Sequence, residues 1–159
     1  MHITVAAIGR QRGGPQAALF HRYADLIRST GPATGVTRFS FVEIDERKGP
    51  RGLRGRAWQA DHLLRAVPES AMMLALDERG RAFTSRAFAE EIGRRRDEGQ
   101  HLAFLIGGPE GHGQAVLERA ALTLSLGPAT WPHLLVRVML AEQIYRALSI
   151  LSGHPYHRD

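Results

Sequence analysis

Apolar and polar positions alternate along this chain in blocks of two kinds. His2–Ile8, Ala71–Leu76 and Leu102–Ile106 are short apolar runs bounded by turn residues, the pattern of strands buried on both faces. Val36–Ile44 is a fourth strand, with Phe39 and Phe41 facing one way and Val42 and Ile44 the other. Helical spacing appears over Ala17–Ile27, where Leu19, Tyr23, Leu26 and Ile27 share a face, and over Ser85–Arg96, where Ala87, Phe88 and Ile92 do. Thr84 or Ser85 can cap the start of the second helix and Gly99 its end. A further short helix is expected to end near Ala66. Strands alternating with helices predict an α/β fold with a mainly parallel sheet.

The last periodic segment, Pro132–Leu151, predicts a long helix. Leu134, Val136, Val138, Leu140, Ile144, Tyr145, Ala147, Leu148 and Leu151 cover well over half of its circumference, against one narrow stripe of Glu142, Arg146 and Ser149. A surface helix needs an apolar stripe of only about 100°. The excess predicts a second subunit; burial within one chain is the alternative.

Composition narrows the class. The 159 residues are most simply one domain, 1–159, with an ordinary 43% hydrophobic and 23% charged content. No stretch reaches the ~18 apolar residues needed to span a bilayer, and Met1-His-Ile-Thr-Val5 lacks the layout of a signal peptide. A cytoplasmic protein with no membrane association is expected. Without cysteine, disulfides and thiolate metal sites are excluded. The net charge is +5, and Lys48 is the only lysine among 21 basic residues. Arginine-rich charge leans toward a nucleic-acid partner, with codon bias as the alternative. Arg47–Arg56 places five cations and three glycines in ten residues, either a solvated loop or a phosphate clamp.

Chemistry concentrates in the last third. Gly107-Gly-Pro-Glu-Gly111 follows an expected strand and either lets backbone approach a ligand or simply turns the chain. It matches neither the dinucleotide nor the P-loop pattern. Leu126-Gly-Pro-Ala-Thr-Trp131 can wrap a flat ring, and can equally just lead into the last helix. His101, His112, His133, His154 and His157 show no metal-ligand spacing, so no metal is expected. The tail offers a ring at Tyr156, a neutral-pH proton carrier at His157 and a permanent cation at Arg158.

Leu76-Asp-Glu-Arg-Gly80, Phe104 through Gly111, Ser125 through His133, Arg137 through Arg146 and His154-Pro-Tyr-His-Arg158 together resemble the RlmH family. These are SPOUT-class methyltransferases that modify N3 of a pseudouridine in large-subunit ribosomal RNA. The resemblance implies a C-terminal deep trefoil knot, a homodimer and S-adenosyl-L-methionine as methyl donor. It implies a donor pocket of Leu76, Gly107 and the loop Leu126, Gly127, Pro128, Ala129, Thr130 and Trp131. Tyr156, His157 and Arg158 are then the expected catalytic group: orienting ring, proton acceptor and phosphate anchor. The alternatives are a non-catalytic RNA-binding dimer of the same fold and a small phosphate- or nucleotide-handling enzyme using the Gly107–Gly111 turn.

Overall fold

The computed structural model describes residues 1–157; Arg158 of the expected catalytic tail lies outside the described residues. Five parallel strands form one sheet in the order β2-β1-β4-β3-β5. They are β1 (His2–Ile8), β2 (Arg38–Ile44), β3 (Met72–Ala82), β4 (Leu102–Ile106) and β5 (Leu122–Ser125). The helices are α1 (Pro15–Thr30), α2 (Gly52–Arg65), α3 (Ser85–Asp97), α4 (Gln114–Arg119) and α5 (His133–Leu151).

The central strands are apolar over most of their paired length because both faces of the sheet are covered. Ile3, Val5, Leu102, Phe104 and Leu74 point into a core with α1, α3 and α5. Ala6, Ile8, Ala103, Leu105 and Met73 point into a second core with α2 and α4. Phe39 and Phe41 join the first core and Val42 and Ile44 the second, as their alternation predicts.

Thr84 caps α3 by accepting from the Ala87 amide at 3.2 Å, and Gly99 takes the left-handed conformation just beyond its end. The buried face of α1 differs from the expected one. Ala17, Phe20, Ala24 and Ile27 turn inward, while Leu19 stays 40% exposed. The basic run Arg47–Arg56 is not one loop, since α2 starts inside it at Gly52. α4 and β5 were not anticipated; at six and four residues they are too short to show a period.

α5 lies against the sheet between α1 and α3, with Leu140, Ala141, Ile144, Ala147 and Leu148 fully buried. Its wide apolar arc is therefore largely covered inside the chain. The arc by itself does not require a second subunit, because two helices as well as a sheet face close over it.

The strand β3 is the element that shapes the site. It is expected to stop at Leu76 but runs on to Ala82, because residues 77–80 make an excursion before Arg81 and Ala82 return to pair with Leu124 and Ser125. Only glycine fits at position 80. A Cβ there would stand 2.6 Å from the Thr123 backbone, closer than atoms pack.

Candidate active-site cleft

An open cleft of roughly 1400 Å³ lies beyond the carboxyl ends of β3, β4 and β5. Open parallel sheets bind ligands at that end. The volume exceeds the ~300–1,000 Å³ of a typical small-molecule site, which leaves room for more than one group. Three loop segments, 77–79, 107–113 and 126–133, surround it together with residues of α2 and α4.

The turn is held by its own packing. Gly111 donates to the Gly108 carbonyl at 2.9 Å and has φ +77°. A Cβ at Gly107 would lie 3.0 Å from the Gly111 carbonyl carbon, and one at Gly113 would lie 2.7 Å from the Arg56 carbonyl oxygen. The glycines are thus needed to fold the turn back on itself and against α2, whether or not a ligand approaches. Below the turn, His112 is buried and its Nε2 donates to the Leu76 carbonyl at 3.0 Å, joining β4's loop to β3's end. Burial lowers the His112 pKa, and the Leu76 bond and Asp77 oppose the shift without cancelling it. The ring is neutral, so Nδ1 carries a lone pair; it is buried without a partner.

Ser125 fastens the loop opposite. Its Oγ accepts from the Gly127 amide at 3.1 Å and sits within bonding distance of the Glu78 and Gly127 carbonyls. Thr130 adds a bond from its hydroxyl to the Glu78 carboxylate at 3.1 Å. Gly127 at φ +109° makes the bend that Ser125 clamps. Leu76, Gly107, Leu126, Gly127, Ala129, Thr130 and Trp131 all line the cleft. Pro128 belongs to the same loop but turns to solvent and does not line it.

At the cleft's edge α5 begins with His133, whose pKa is lowered by burial and then by Arg137. Arg137, one turn on, is fully buried. Its Nη2 donates to the Ile8 and Gly9 carbonyls at 2.6 and 2.8 Å, and Nη1 donates to Glu43 at 2.8 Å. Glu43 in turn accepts from the Gln11 amide at 2.8 Å, so one buried cation fixes the start of the β1–α1 loop. Sequence reasoning missed Ser125, Glu78, His112 and Arg137 as working parts. For Arg137 a signal was available, a lone charge between Val136 and Val138 in an otherwise apolar stretch.

The tail stands apart. Tyr156 packs against Tyr145 with ring centroids 4.7 Å apart and the rings tilted by 59°, and donates its hydroxyl to Glu142 at 3.0 Å. Burial, with bonds to Tyr23 and Glu142, pushes its pKa up, so the phenol stays protonated. Arg146 also binds Glu142, and lies 3.3 Å from His157 Nδ1, which must accept because a guanidinium only donates. Neither Tyr156 nor His157 lines the cleft of its own chain. Among the described residues no three potential ligands gather to hold a metal ion. Among the described residues no helix is long and apolar enough to cross a membrane.

Sheet order, strand direction and a cleft beyond the strand ends define an open parallel α/β protein whose cleft lies where such sheets take their ligands. The family profile "Predicted SPOUT methyltransferase" matches residues 1–157. Proteins called Ribosomal RNA large subunit methyltransferase H are similar over the full length of both chains: 48% identical in Phenylobacterium zucineum and 45% in Brucella anthropi, each covering 100% of this chain and 100% of its own. The Dinoroseobacter shibae protein of that name is 46% identical, covering 99% of each. A solved structure, a probable methylase family protein from Haemophilus influenzae, superimposes with TM-score 0.58 at 13% identity, covering 99% of this chain and 70% of that one. The chain belongs to the SPOUT methyltransferases and, among them, to the family of ribosomal RNA large subunit methyltransferase H.

Proposed function

We propose that this chain, as one domain over 1–159, transfers a methyl group from S-adenosyl-L-methionine to N3 of a pseudouridine in large-subunit ribosomal RNA. The observation that carries the reading is full-length similarity to methyltransferases of that name, joined to a cleft that gathers seven of the eight expected donor-pocket residues.

The cleft suits the donor. Leu76, Ile106, Leu124 and Leu126 give apolar walls for a flat ring, and Asp77, Glu78 and Glu110 supply negative charge on the same cleft for a sulfonium cation. When bound, the donor supplies a methyl group already activated for displacement. What remains for the protein is to hold the target base in line, exclude water and take the N3 proton. Ser125 and His112 hold the two walls at fixed separation. Tyr156 orients the base, His157 accepts or relays the proton and Arg158 anchors a phosphate.

Because the tail lies off its own cleft, we place it at the cleft of a partner in a homodimer. An apolar groove of roughly 570 Å³ supports this, lined by Leu19, Phe83, Val138 and Met139 and sharing Leu126 and Gly127 with the cleft. The threaded C-terminal knot belongs to the same reading, supported by the bonds of Ser125 and Thr130 to the Asp77–Gly80 excursion. The substrate puts the protein in the cytoplasm with ribosomes. Mass mapping of ribosomal RNA from cells lacking the protein tests the activity: a missing methyl on one pseudouridine is expected, and an unchanged map removes the reading. Calorimetric titration tests the donor, with S-adenosyl-L-methionine expected to bind and ATP not.

A further inference from the structure

Two groups of cations stand in contrast. On α3, Arg94 and Arg95 pair with Glu91 and Glu98, and Arg96 pairs with Asp97. At the cleft end of the sheet the opposite holds. Residues 9–14 and 45–56 together carry seven cations against two carboxylates, a net +5. The whole protein is also +5, so everything outside these two loops is neutral in sum.

Two of the carboxylates near these loops are already bonded. Asp45 binds Arg47 through both oxygens, at 3.0 Å each. Glu43 is held by Arg137 and the Gln11 amide, and Glu46 acts electrostatically on His133 and Arg137. Arg10, Arg12, Lys48, Arg51, Arg54 and Arg56 form no ion pair among the described residues, and all but half-buried Arg56 are exposed. The Gly9 amide donates to the Ile44 carbonyl at 2.8 Å, which joins the starts of the two loops, and Leu53 and Arg56 line the cleft itself. A single-sign patch costs self-repulsion, while a polyanion gains counterion release on it. Leu53, 77% exposed, is the only large exposed apolar residue within these loops, too little to insert into a membrane.

We infer that the β1–α1 loop, the β2–α2 loop and the first turn of α2 form a phosphate-binding rim that grips the RNA backbone leading into the cleft. The inference rests on the proposed RNA substrate. The guanidinium forks of Arg10, Arg12, Arg51 and Arg54 take phosphate oxygens two at a time, and Arg56 marks where the strand enters.

Two variants test it, Arg10→Gln/Arg12→Gln and Arg51→Gln/Arg54→Gln. Arg38→Gln/Arg119→Gln is the charge-matched control, at exposed positions beside the opposite end of the sheet. Binding of a short oligouridine and of large ribosomal subunits is followed across a salt series. Each rim pair is expected to reduce the slope of log affinity against log salt by about 1.4, two single-strand phosphate contacts. The control keeps its slope, and all three retain donor binding and melting temperature. Unchanged slopes in both rim pairs, or an equal loss in the control, overturn the rim. Rim-dependent RNA binding by a wild-type protein that methylates no ribosome supports the rim and removes the methyltransferase reading.

Discussion

The two ends of α5 use charge in opposite ways. At the cleft end, Arg137 is wholly inside the protein, with two backbone carbonyls and one carboxylate as partners and its Nε left without one. Nine residues on, Arg146 and Glu142 retain 25% and 16% of their side-chain surface, and gather Tyr156 and His157 on the outer face. A cation that cannot reach water fixes whatever it touches. A pair that can reach water holds its neighbours more loosely, since losing one partner returns the other to solvent. The first end positions backbone; the second holds a tail that another molecule can take.

Substituting Arg137 breaks that contrast most severely. Arg137→Ala leaves the Ile8 and Gly9 carbonyls without this donor and Glu43 without its cation, a change expected to cost about 3–5 kcal/mol in urea unfolding. Arg137→Met/Glu43→Gln removes the stranded charge and keeps volume, so it is expected to recover part of the loss. A double variant no more stable than Arg137→Ala would mean that the carbonyls, and not the ion pair, set the cost. Arg146→Ala, by comparison, is expected to lose no more than ~1 kcal/mol.

The reverse ordering is expected for turnover. Deleting residues 156–159 leaves Leu76, Gly107 and the 126–131 loop in place, so donor binding should survive while methyl transfer falls by at least ~100-fold. Mixing sharpens the comparison. A tail-deleted chain and a full-length chain carrying Gly107→Val are each expected to be inactive, and a mixed dimer to regain one working site. Restoration places the tail at the partner's cleft. No restoration, with both chains folded and mixed dimers shown by mass, places tail and cleft in one chain. Any side chain at 107 crowds the Gly111 backbone, so Gly107→Ala, which adds a single methyl, serves as the milder partner.

The sequence made the cleft end only partly readable. β1, β3 and β4 were visible because two covered faces leave few polar positions in a strand, and the Gly107–Gly111 turn stood out against such neighbours. The return of residues 81 and 82 to β5 was not visible, since Asp-Glu-Arg-Gly reads as a turn that ends a strand. Arg137 was passed over because the helix was read for its apolar arc and for one polar stripe of Glu142, Arg146 and Ser149. That arc also gave a misleading reason for a dimer, because spacing shows how much surface is apolar but not that α1 and α3 both close on it. The tail was legible as chemistry and illegible as position: nothing in Tyr156-His157-Arg158 says that Tyr156 turns back toward Tyr23 and Glu142.

A smaller effect is expected at the clamp between the loops. Ser125→Ala deletes the acceptor of the Gly127 amide and the link to Glu78, at an expected cost of about 1–2 kcal/mol in stability. Since the same loop walls the cleft, the donor's dissociation constant is expected to rise as well. A stability loss with unchanged donor affinity would show that the loop keeps its shape without Ser125.

The gentlest probe of the cleft end is pH. His112 is buried with its pKa lowered, so the unfolded chain, near 6.5, binds a proton that the folded chain refuses. Its contribution to stability is therefore complete above 6.5 and is lost as pH falls toward the lower folded value. While only the unfolded state is protonated, one histidine gives a slope of at most ~1.4 kcal/mol per pH unit. His133 shifts the same way, so the informative quantity is the difference between wild type and His112→Gln, followed by urea unfolding from neutral pH downward. The glutamine amide can keep a donor for the Leu76 carbonyl without titrating, and is expected to flatten the acid-side decline by up to one proton. An identical slope in the variant would mean that the His112 ring takes up its proton without disturbing the junction of β3 and β4. In that case the cleft end would tolerate charge at its floor, as the tail end does at its surface.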